Sequence, residues 1–111
     1  MSINIPEFTV SEFSRSIKRV VEDAFGYVRI KGEITGFKRA SSGHLYFTLK
    51  DDKAQISAVA FKNSIKSLKF NLEDGLEIIV SGRISVYEPR GSYQLIVTYI
   101  EPVGLGALQI A

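Results

Sequence analysis

Near the start of the chain, apolar residues recur at the spacing of one helical face. Thr9 and Glu12 stand three residues apart in the pattern of a capping box, which marks a helix N-terminus. The apolar positions that follow are Val10, Phe13, Ile17, Val20, Val21 and Ala24. The pattern predicts one amphipathic helix that ends at Gly26. Two of its basic residues, Lys18 and Arg19, are expected to face solvent.

From residue 28 onward the apolar period changes to two, which is the period of a half-buried strand. In the first strand the apolar positions alternate with charged ones, and Gly32 interrupts the run as a bulge or a sharp bend would. Four further segments alternate in the same way: residues 44–50, 55–61, 76–86 and 93–100. The sequence therefore predicts five strands.

A segment without alternation, residues 63–68, follows the third strand and predicts a short helix. Five strands with internal glycines and a helix after the third form the layout of an OB-fold, a Greek-key barrel that binds oligonucleotides or oligosaccharides. The predicted fold class is thus mainly β. We expect a helical extension over residues 1–26, an OB-fold domain over 27–102 and the start of a linker over 103–111.

Composition excludes several classes of function. The 111 residues are 45% hydrophobic, enough for one core, and contain no cysteine, which excludes disulfides and thiolate metal sites. No apolar run approaches the roughly 18 residues that span a bilayer, and no leader pattern precedes the first helix. We therefore expect a cytoplasmic protein with no membrane partner. The net charge of +2 is small, so the placement of the charges is more informative than their sum.

Basic residues concentrate where an OB-fold takes its ligand. Residues 38–50, the first hairpin loop and the second strand, contain Lys38, Arg39 and Lys50 and no acid. Grooves for single strands combine cations that follow phosphates with aromatic faces on which bases stack. Tyr46 faces outward by alternation and is the first stacking candidate. The alternative is a solvated lysine face with Tyr46 capping the barrel.

The hairpin loop between the fourth and fifth strands is the second candidate. Arg90 stands at its tip, with Tyr87 and Tyr93 on either side. Such a loop can close over a ligand, although a plain turn with two barrel tyrosines explains the pattern equally well. The complete set of candidate nucleic-acid contacts is Lys38, Arg39, Ser42, His44, Tyr46, Lys50, Arg83, Tyr87, Arg90 and Tyr93.

Two residues near this face have ambiguous roles. His44 is the only histidine and has no acid or second ligand near it, so a hydrogen bond to the backbone or a phosphate contact is favoured over catalysis or metal binding. We expect no cofactor. Phe61, at the end of the third strand, is either a core residue or a base-stacking platform, because the strand has apolar residues on both faces, and the core is slightly favoured.

Five segments resemble the N-terminal domain of exodeoxyribonuclease VII large subunits: TVSEF, IKGEITGFK, SSGHLYFTLKD, DGLEIIVSGRISVYEPRGSYQL and EPVGLGAL. The second strand joined to the last hairpin is the most specific part. The resemblance implies a bacterial enzyme that degrades single-stranded DNA to acid-soluble oligonucleotides and contains several small subunits. It also implies that this OB domain binds the strand without cutting it, since the catalytic domain and the regions that would meet the small subunit follow it.

Two alternatives remain from other classes of function. An anticodon-binding OB domain of a tRNA synthetase has a similar rhythm around IKGEI and FTLKD, but its ligand would be RNA. A protein-interaction OB module would bury the same face against a polypeptide. Such a module would show no salt-dependent binding of oligonucleotides.

Overall fold

The computed structural model describes residues 4–66 and 68–103. The helix is α1 (Val10–Ala24), and the strands are β1 (Val28–Arg39), β2 (Leu45–Lys50), β3 (Gln55–Ala60), β4 (Glu77–Tyr87) and β5 (Ser92–Pro102). Short 3-10 helices, Lys62–Ile65 and Glu88–Arg90, follow β3 and β4. The predicted order of elements is confirmed. Most of the expected linker, residues 104–111, lies outside the described residues.

The strands close into a barrel in the order β1, β2, β3, β5, β4. β3 and β5 pair in parallel, between residues 57–60 and 94–97, and the other four pairs are antiparallel. This arrangement confirms the predicted five-stranded OB-fold. Within the described part of the chain, no helix is long and apolar enough to cross a membrane.

The barrel interior is filled by the apolar positions of the alternating strands. Leu45, Phe47 and Leu49 of β2 all point inward, as their spacing predicts. The largest fully buried side chains are Ile34, Leu45, Leu49, Ile78, Leu95, Val80 and Val97. Each such side chain contributes about 1.5–3 kcal/mol when it leaves water. The residues between them are thereby held on the outer surface.

Two strand glycines are required by close approach of neighbouring strands. A Cβ atom at Gly32 would lie 2.8 Å from the Cγ atom of Leu49, and one at Gly82 would collide with the Ile96 carbonyl oxygen. The register of β4 on β5 shifts beside Gly82, so this glycine lies at a bulge. The β1 irregularity lies instead near Gly36, which has a φ of 63°. The bulge expected at Gly32 is therefore a tight packing position.

The helix α1 begins at the predicted capping box. The hydroxyl oxygen of Thr9 accepts a hydrogen bond from the Glu12 amide at 3.1 Å, and the Glu12 carboxylate accepts one from the Thr9 amide at 2.9 Å. Val21 packs against the core cluster, but no residue of α1 is fully buried. The helix therefore rests on the barrel by one edge of its apolar face.

Side chains of α1 complete the free edge of β4. The pairing of β1 with β4 stops at Val28 and Gly82, so the end of β4 has an edge beyond that point. The Val86 amide donates to the Glu22 carboxylate at 2.9 Å, and Lys18 Nζ donates to the Val86 carbonyl at 3.2 Å. Lys18 and Glu22 are also ion-paired at 2.7 Å. The expectation that Lys18 faces solvent is wrong, because its ammonium group bonds to the barrel.

Candidate nucleic-acid interface

Five outward-facing residues form one continuous row across the barrel strands. The register joins them in the order Lys38, Tyr46, Val59, Ile96 and Arg83. Directly opposed residues of paired strands share one face of a sheet, and neighbouring strands lie about 4.8 Å apart. This central row therefore crosses roughly 20 Å of the barrel surface, from β1 to β4.

The central row has a cation at each end and apolar groups between them. Lys38 and Arg83 are exposed, and Tyr46 is 45% exposed. Val59 and Ile96 are buried but lie outside the hydrophobic core cluster, which places them on the outer side of the barrel wall. The row thus presents one exposed aromatic ring, Tyr46, between two positive charges, and its two apolar residues are covered.

A second row runs beside the central row and contains only uncharged polar side chains. Its members, joined by the same register, are Thr35, Thr48, Ser57, Gln94 and Ser85. Hydroxyl groups both donate and accept hydrogen bonds, and the glutamine amide does so through separate atoms. Sequence reasoning missed this polar row because single serines and threonines in strands carry no signal. The strand register alone brings them together.

His44 is held by backbone contacts at the start of β2. Its Nδ1 atom accepts a hydrogen bond from the Lys62 amide at 2.9 Å, so the neutral ring carries its proton on Nε2. The His44 amide donates weakly to the Ser42 hydroxyl at 3.5 Å. The favoured backbone hydrogen bond is therefore present. The histidine ties the first hairpin loop to the segment that follows β3.

Phe61 lies outside the barrel, and its assignment to the core is wrong. Ala58 and Ala60 point inward, so the larger Val59 and Phe61 point outward. The Phe61 ring is 41% exposed and packs edge-to-face on His44, with centroids 5.1 Å apart and planes at 80°. The sequence allowed either set of residues to face inward, and the register of β2 on β3 resolves it. Phe61 thereby joins Tyr46 as a second outward aromatic ring.

The first hairpin separates two cations that are neighbours in sequence. Lys38 pairs with the outward Tyr46, whereas Arg39 pairs with the inward Leu45. Both are exposed, but successive side chains of a strand point to opposite faces. Of these two, only Lys38 shares the face of Tyr46. Ser42 is exposed in the loop between them and β2.

Four further candidates lie near the far ends of β2, β4 and β5, where Tyr93 alternates with the inward Leu95 and Val97 and so points to the inner side of the barrel. Lys50 is exposed at the end of β2, and Arg90 is exposed in the 3-10 helix Glu88–Arg90. Tyr87 and Tyr93 are 53% and 60% exposed at the ends of β4 and β5 that flank this turn. The ten predicted residues therefore form two groups, and the polar row runs between them.

The described residues contain no group of three or more histidine, aspartate or glutamate side chains arranged to hold a metal ion. The pKa of Asp51 is lowered, because its carboxylate accepts hydrogen bonds from the amides of Lys53 and Ala54. This acid therefore stabilises the turn between β2 and β3. The side chains of the face are cations, aromatic rings and hydroxyls, which suit noncovalent binding of a ligand.

The sequence matches the family described as an OB-fold nucleic acid binding domain over residues 8–101. It is also 49% identical, over 109 residues, to an exodeoxyribonuclease 7 large subunit from Bartonella bacilliformis, covering 97% of this chain and 23% of that protein. A large subunit from Allorhizobium ampelinum is 52% identical over 106 residues, with 95% and 20% covered. The resemblance seen in the sequence is confirmed, and the chain spans about a fifth of the length of these relatives.

Solved structures share the fold at low identity. An asparaginyl-tRNA synthetase from Pyrococcus horikoshii superposes with a TM-score of 0.63 at 20% identity, over 80% of this chain and 21% of that chain. A replication protein A heterotrimer bound to ssDNA gives 0.57 at 9% identity, over 76% and 63%. These similarities are evidence for the barrel architecture alone.

Proposed function

Because this chain belongs to the family of OB-fold nucleic acid binding domains, we propose that its outer face binds single-stranded DNA without reading the base sequence. The observation that supports this most is the central row, in which Tyr46 lies between the cations Lys38 and Arg83. Cations follow phosphates and aromatic faces stack on any base, so this combination suits a single strand of any sequence.

The two outward rings favour a single strand over a duplex. Tyr46 lies on β2 and Phe61 directly follows the neighbouring β3, and the two side chains are 45% and 41% exposed. A ring stacks only on a base whose face is accessible, and in a duplex the base faces are covered by neighbouring base pairs. His44 packs edge-to-face on Phe61 and is itself held by the hydrogen bond from the Lys62 amide, so it supports this second ring.

The other candidates extend this surface toward the second hairpin. The polar row supplies hydrogen-bond partners along the path, and Lys50 and Arg90 supply further positive charge at its far end. Tyr87 and Tyr93 add two exposed rings there. We assign Arg39 and Ser42 to the edge of the interface, since Arg39 faces away from Tyr46 by alternation.

We further propose that the complete protein is a single-strand-specific exonuclease of the exodeoxyribonuclease VII type, which acts with a small subunit in the cytoplasm. Support comes from relatives of that name at 49% and 52% identity. Residues 27–102 would bind the strand, with 1–26 as a helical extension and 103–111 as the start of a linker to the catalytic domain. The 111-residue chain by itself would bind DNA without cutting it.

Fluorescence anisotropy with labelled oligonucleotides tests the binding proposal. We expect the 111-residue chain to bind single-stranded DNA more tightly than duplex DNA, with affinity that falls steeply as salt rises and changes little with base sequence. A matched RNA strand is the second arm of the experiment. Preference for RNA would favour an anticodon-binding role, and salt-independent binding or none would favour a protein-interaction module.

A further inference from the structure

The first hairpin loop is held against the segment that follows β3. The Lys62 amide donates to Nδ1 of His44 at 2.9 Å, and the His44 ring packs on Phe61 with centroids 5.1 Å apart. Two backbone hydrogen bonds of 2.9 Å close the loop itself, from the Ala40 amide to the His44 carbonyl and from the Gly43 amide to the Ala40 carbonyl. The loop and the start of the 3-10 helix therefore form one local unit.

The side chain of Lys62 lies along this loop. A Cβ atom placed on Gly43 would be 3.1, 3.4 and 3.6 Å from the Cδ, Cγ and Cε atoms of Lys62. Gly43 has a φ of 93°, which glycine adopts without strain. The aliphatic part of Lys62 thus packs over a residue that has no side chain. Its ammonium group, one bond beyond Cε, lies at the loop.

The Lys62 cation is available to an anionic ligand. Lys62 is exposed and forms no ion pair among residues 4–66 and 68–103. Neither of the two segments that meet here, residues 38–50 and 53–72, contains an acid. The neighbouring Phe61 side chain is 41% exposed. An ammonium group beside an open ring offers a single nucleotide both a phosphate contact and a stacking face.

Phe61 stands diagonally across from Tyr46. Tyr46 pairs with Val59, and Phe61 follows Val59 by two residues on the same outward side. Diagonal neighbours of paired strands are about 7–8 Å apart, roughly twice the rise of 3.4 Å per nucleotide in a duplex strand. Neighbouring bases therefore reach both rings only in an extended single strand.

We propose that Phe61 and Lys62 form a second nucleotide subsite next to Tyr46. The Phe61 ring stacks on one base, and the Lys62 ammonium group contacts the phosphate that links this nucleotide to the one on Tyr46. Gly43 is a positioning residue, because its missing side chain leaves room for the Lys62 stem. The inference rests on the proposed function and adds to it a cation outside the ten candidates.

A matched pair of lysine variants tests the phosphate contact. Lys62 and Lys66 look alike in sequence and are both exposed, so each alanine variant removes one positive charge from the same segment. Lys62→Ala should weaken binding of a labelled oligothymidylate about fivefold at roughly 0.1 M salt and reduce the magnitude of the salt slope by about 0.7. Lys66→Ala should do neither. Fluorescence anisotropy of the 111-residue chain across a salt series measures both quantities.

The base contact is tested by Phe61→Leu, which removes the ring and keeps an apolar side chain. We expect affinity to fall about fivefold or more, the factor for one stacked base, with an unchanged salt slope. The slope thereby separates a lost stacking contact from a lost charge. Unchanged affinity would overturn the subsite.

A double-mutant cycle tests the role of Gly43. Gly43→Ala should weaken binding, because the new Cβ atom would press on the Lys62 stem. In the Lys62→Ala background the same substitution should have little further effect. Additive losses would show that the substitution disturbs the loop as a whole, and would overturn the positioning role. If Gly43→Ala does not fold, the comparison of Lys62→Ala with Lys66→Ala decides.

The outcomes separate this inference from the proposed function. Equal effects of the two lysine variants would mean that the charge of the segment acts at a distance, which overturns the subsite and leaves DNA binding by the face standing. Binding that is sensitive to Tyr46→Ala and insensitive to Lys62→Ala has the same meaning. If the chain binds no single-stranded DNA, both proposals fail together.

Discussion

Tyr46 stands on β2 between two inward residues, and its ring is free because the core is complete without it. It neighbours Lys38 on β1 and Val59 on β3. We expect Tyr46→Ala to weaken single-strand binding by about 1–3 kcal/mol. The midpoint of thermal unfolding should change little, since no core contact is removed. Tyr99→Ala is the matched control, because Tyr99 is similarly exposed and pairs with Ser81 on another part of the barrel.

The two neighbouring cations of the first hairpin should differ in effect. Lys38→Ala should lower affinity equally for all base sequences and reduce the magnitude of the salt slope by about 0.7, the value for one phosphate contact on a single strand. Arg39→Ala should change the slope less, because Arg39 faces away from Tyr46. Arg19→Ala, exposed on α1, serves as the control. Equal effects of the Lys38 and Arg39 variants would place the DNA across the hairpin tip.

Within the candidate site, the orientation and the cross-strand partners of single residues were the hardest features to predict from the sequence. Alternation alone oriented Tyr46, because Leu45, Phe47 and Leu49 define the inward face of β2. It did not orient Phe61, since this segment has apolar residues on both faces: Ile56, Ala58 and Ala60 point inward, and Val59 points outward. The partners of a residue across strands depend on register, which no local pattern contains.

At the scale of elements, α1 is attached to the barrel through two side-chain hydrogen bonds to the backbone of Val86 as well as through apolar contact. The capping box predicted where the helix begins, because both partners lie within four residues. The bond from Lys18 to Val86 joins residues 68 positions apart. Such a contact depends on how the helix packs against the barrel. The sequence therefore predicted the helix but not the hydrogen bonds that attach it to β4.

This attachment should make stability depend on pH. The hydrogen bond from Lys18, followed by that from the Val86 amide, lowers the pKa of Glu22 in the folded state. The ionised form therefore stabilises the fold above the unfolded-state pKa, and this contribution is lost as pH falls through the lowered folded-state value. Glu22→Gln should lower the Tm at pH 7, and the difference from the unaltered chain should vanish in acid.

Thermal melts followed by circular dichroism between pH 7 and pH 2 measure this difference. Asp23→Asn changes the next residue of α1, which is exposed, and should leave the Tm at pH 7 nearly unchanged. A Glu22→Gln deficit of constant size across the whole pH range would show that the carboxylate charge is irrelevant to the attachment.

For the whole molecule, closure of the barrel depends on the bulge at Gly82. Here β4 changes register on β5, and a Cβ atom would collide with the Ile96 backbone. Gly82→Ala should cost about 1–3 kcal/mol of unfolding free energy, the usual range for overpacking. Urea denaturation measures it, with Gly26→Ala as control because its Cβ would meet only an ordinary contact at 3.7 Å. If Gly82→Ala left the free energy of unfolding unchanged, β4 and β5 would be able to move apart at this point without loss of stability.

The barrel as a whole could be predicted because the alternation of apolar and polar residues is repeated in every strand. Five alternating segments and one helical interruption leave few architectures besides an OB-fold. The position of the bulges was not predictable from glycines alone, since Gly32 and Gly82 look alike in sequence and only Gly82 lies at a register shift.

The parallel pair of β3 and β5 also determines how the chain reaches its fold. β1, β2 and β3 pair as successive hairpins, whereas the β3–β5 pair joins segments that are far apart in sequence. Non-local pairing slows folding, so barrel closure should be the late step on a timescale of roughly milliseconds to seconds. In stopped-flow measurements, Ile96→Val should mainly accelerate unfolding, while Phe47→Leu in the meander should slow folding. The outer face that crosses β3 and β5 would then form last, so the proposed DNA-binding surface would exist only once the barrel has closed.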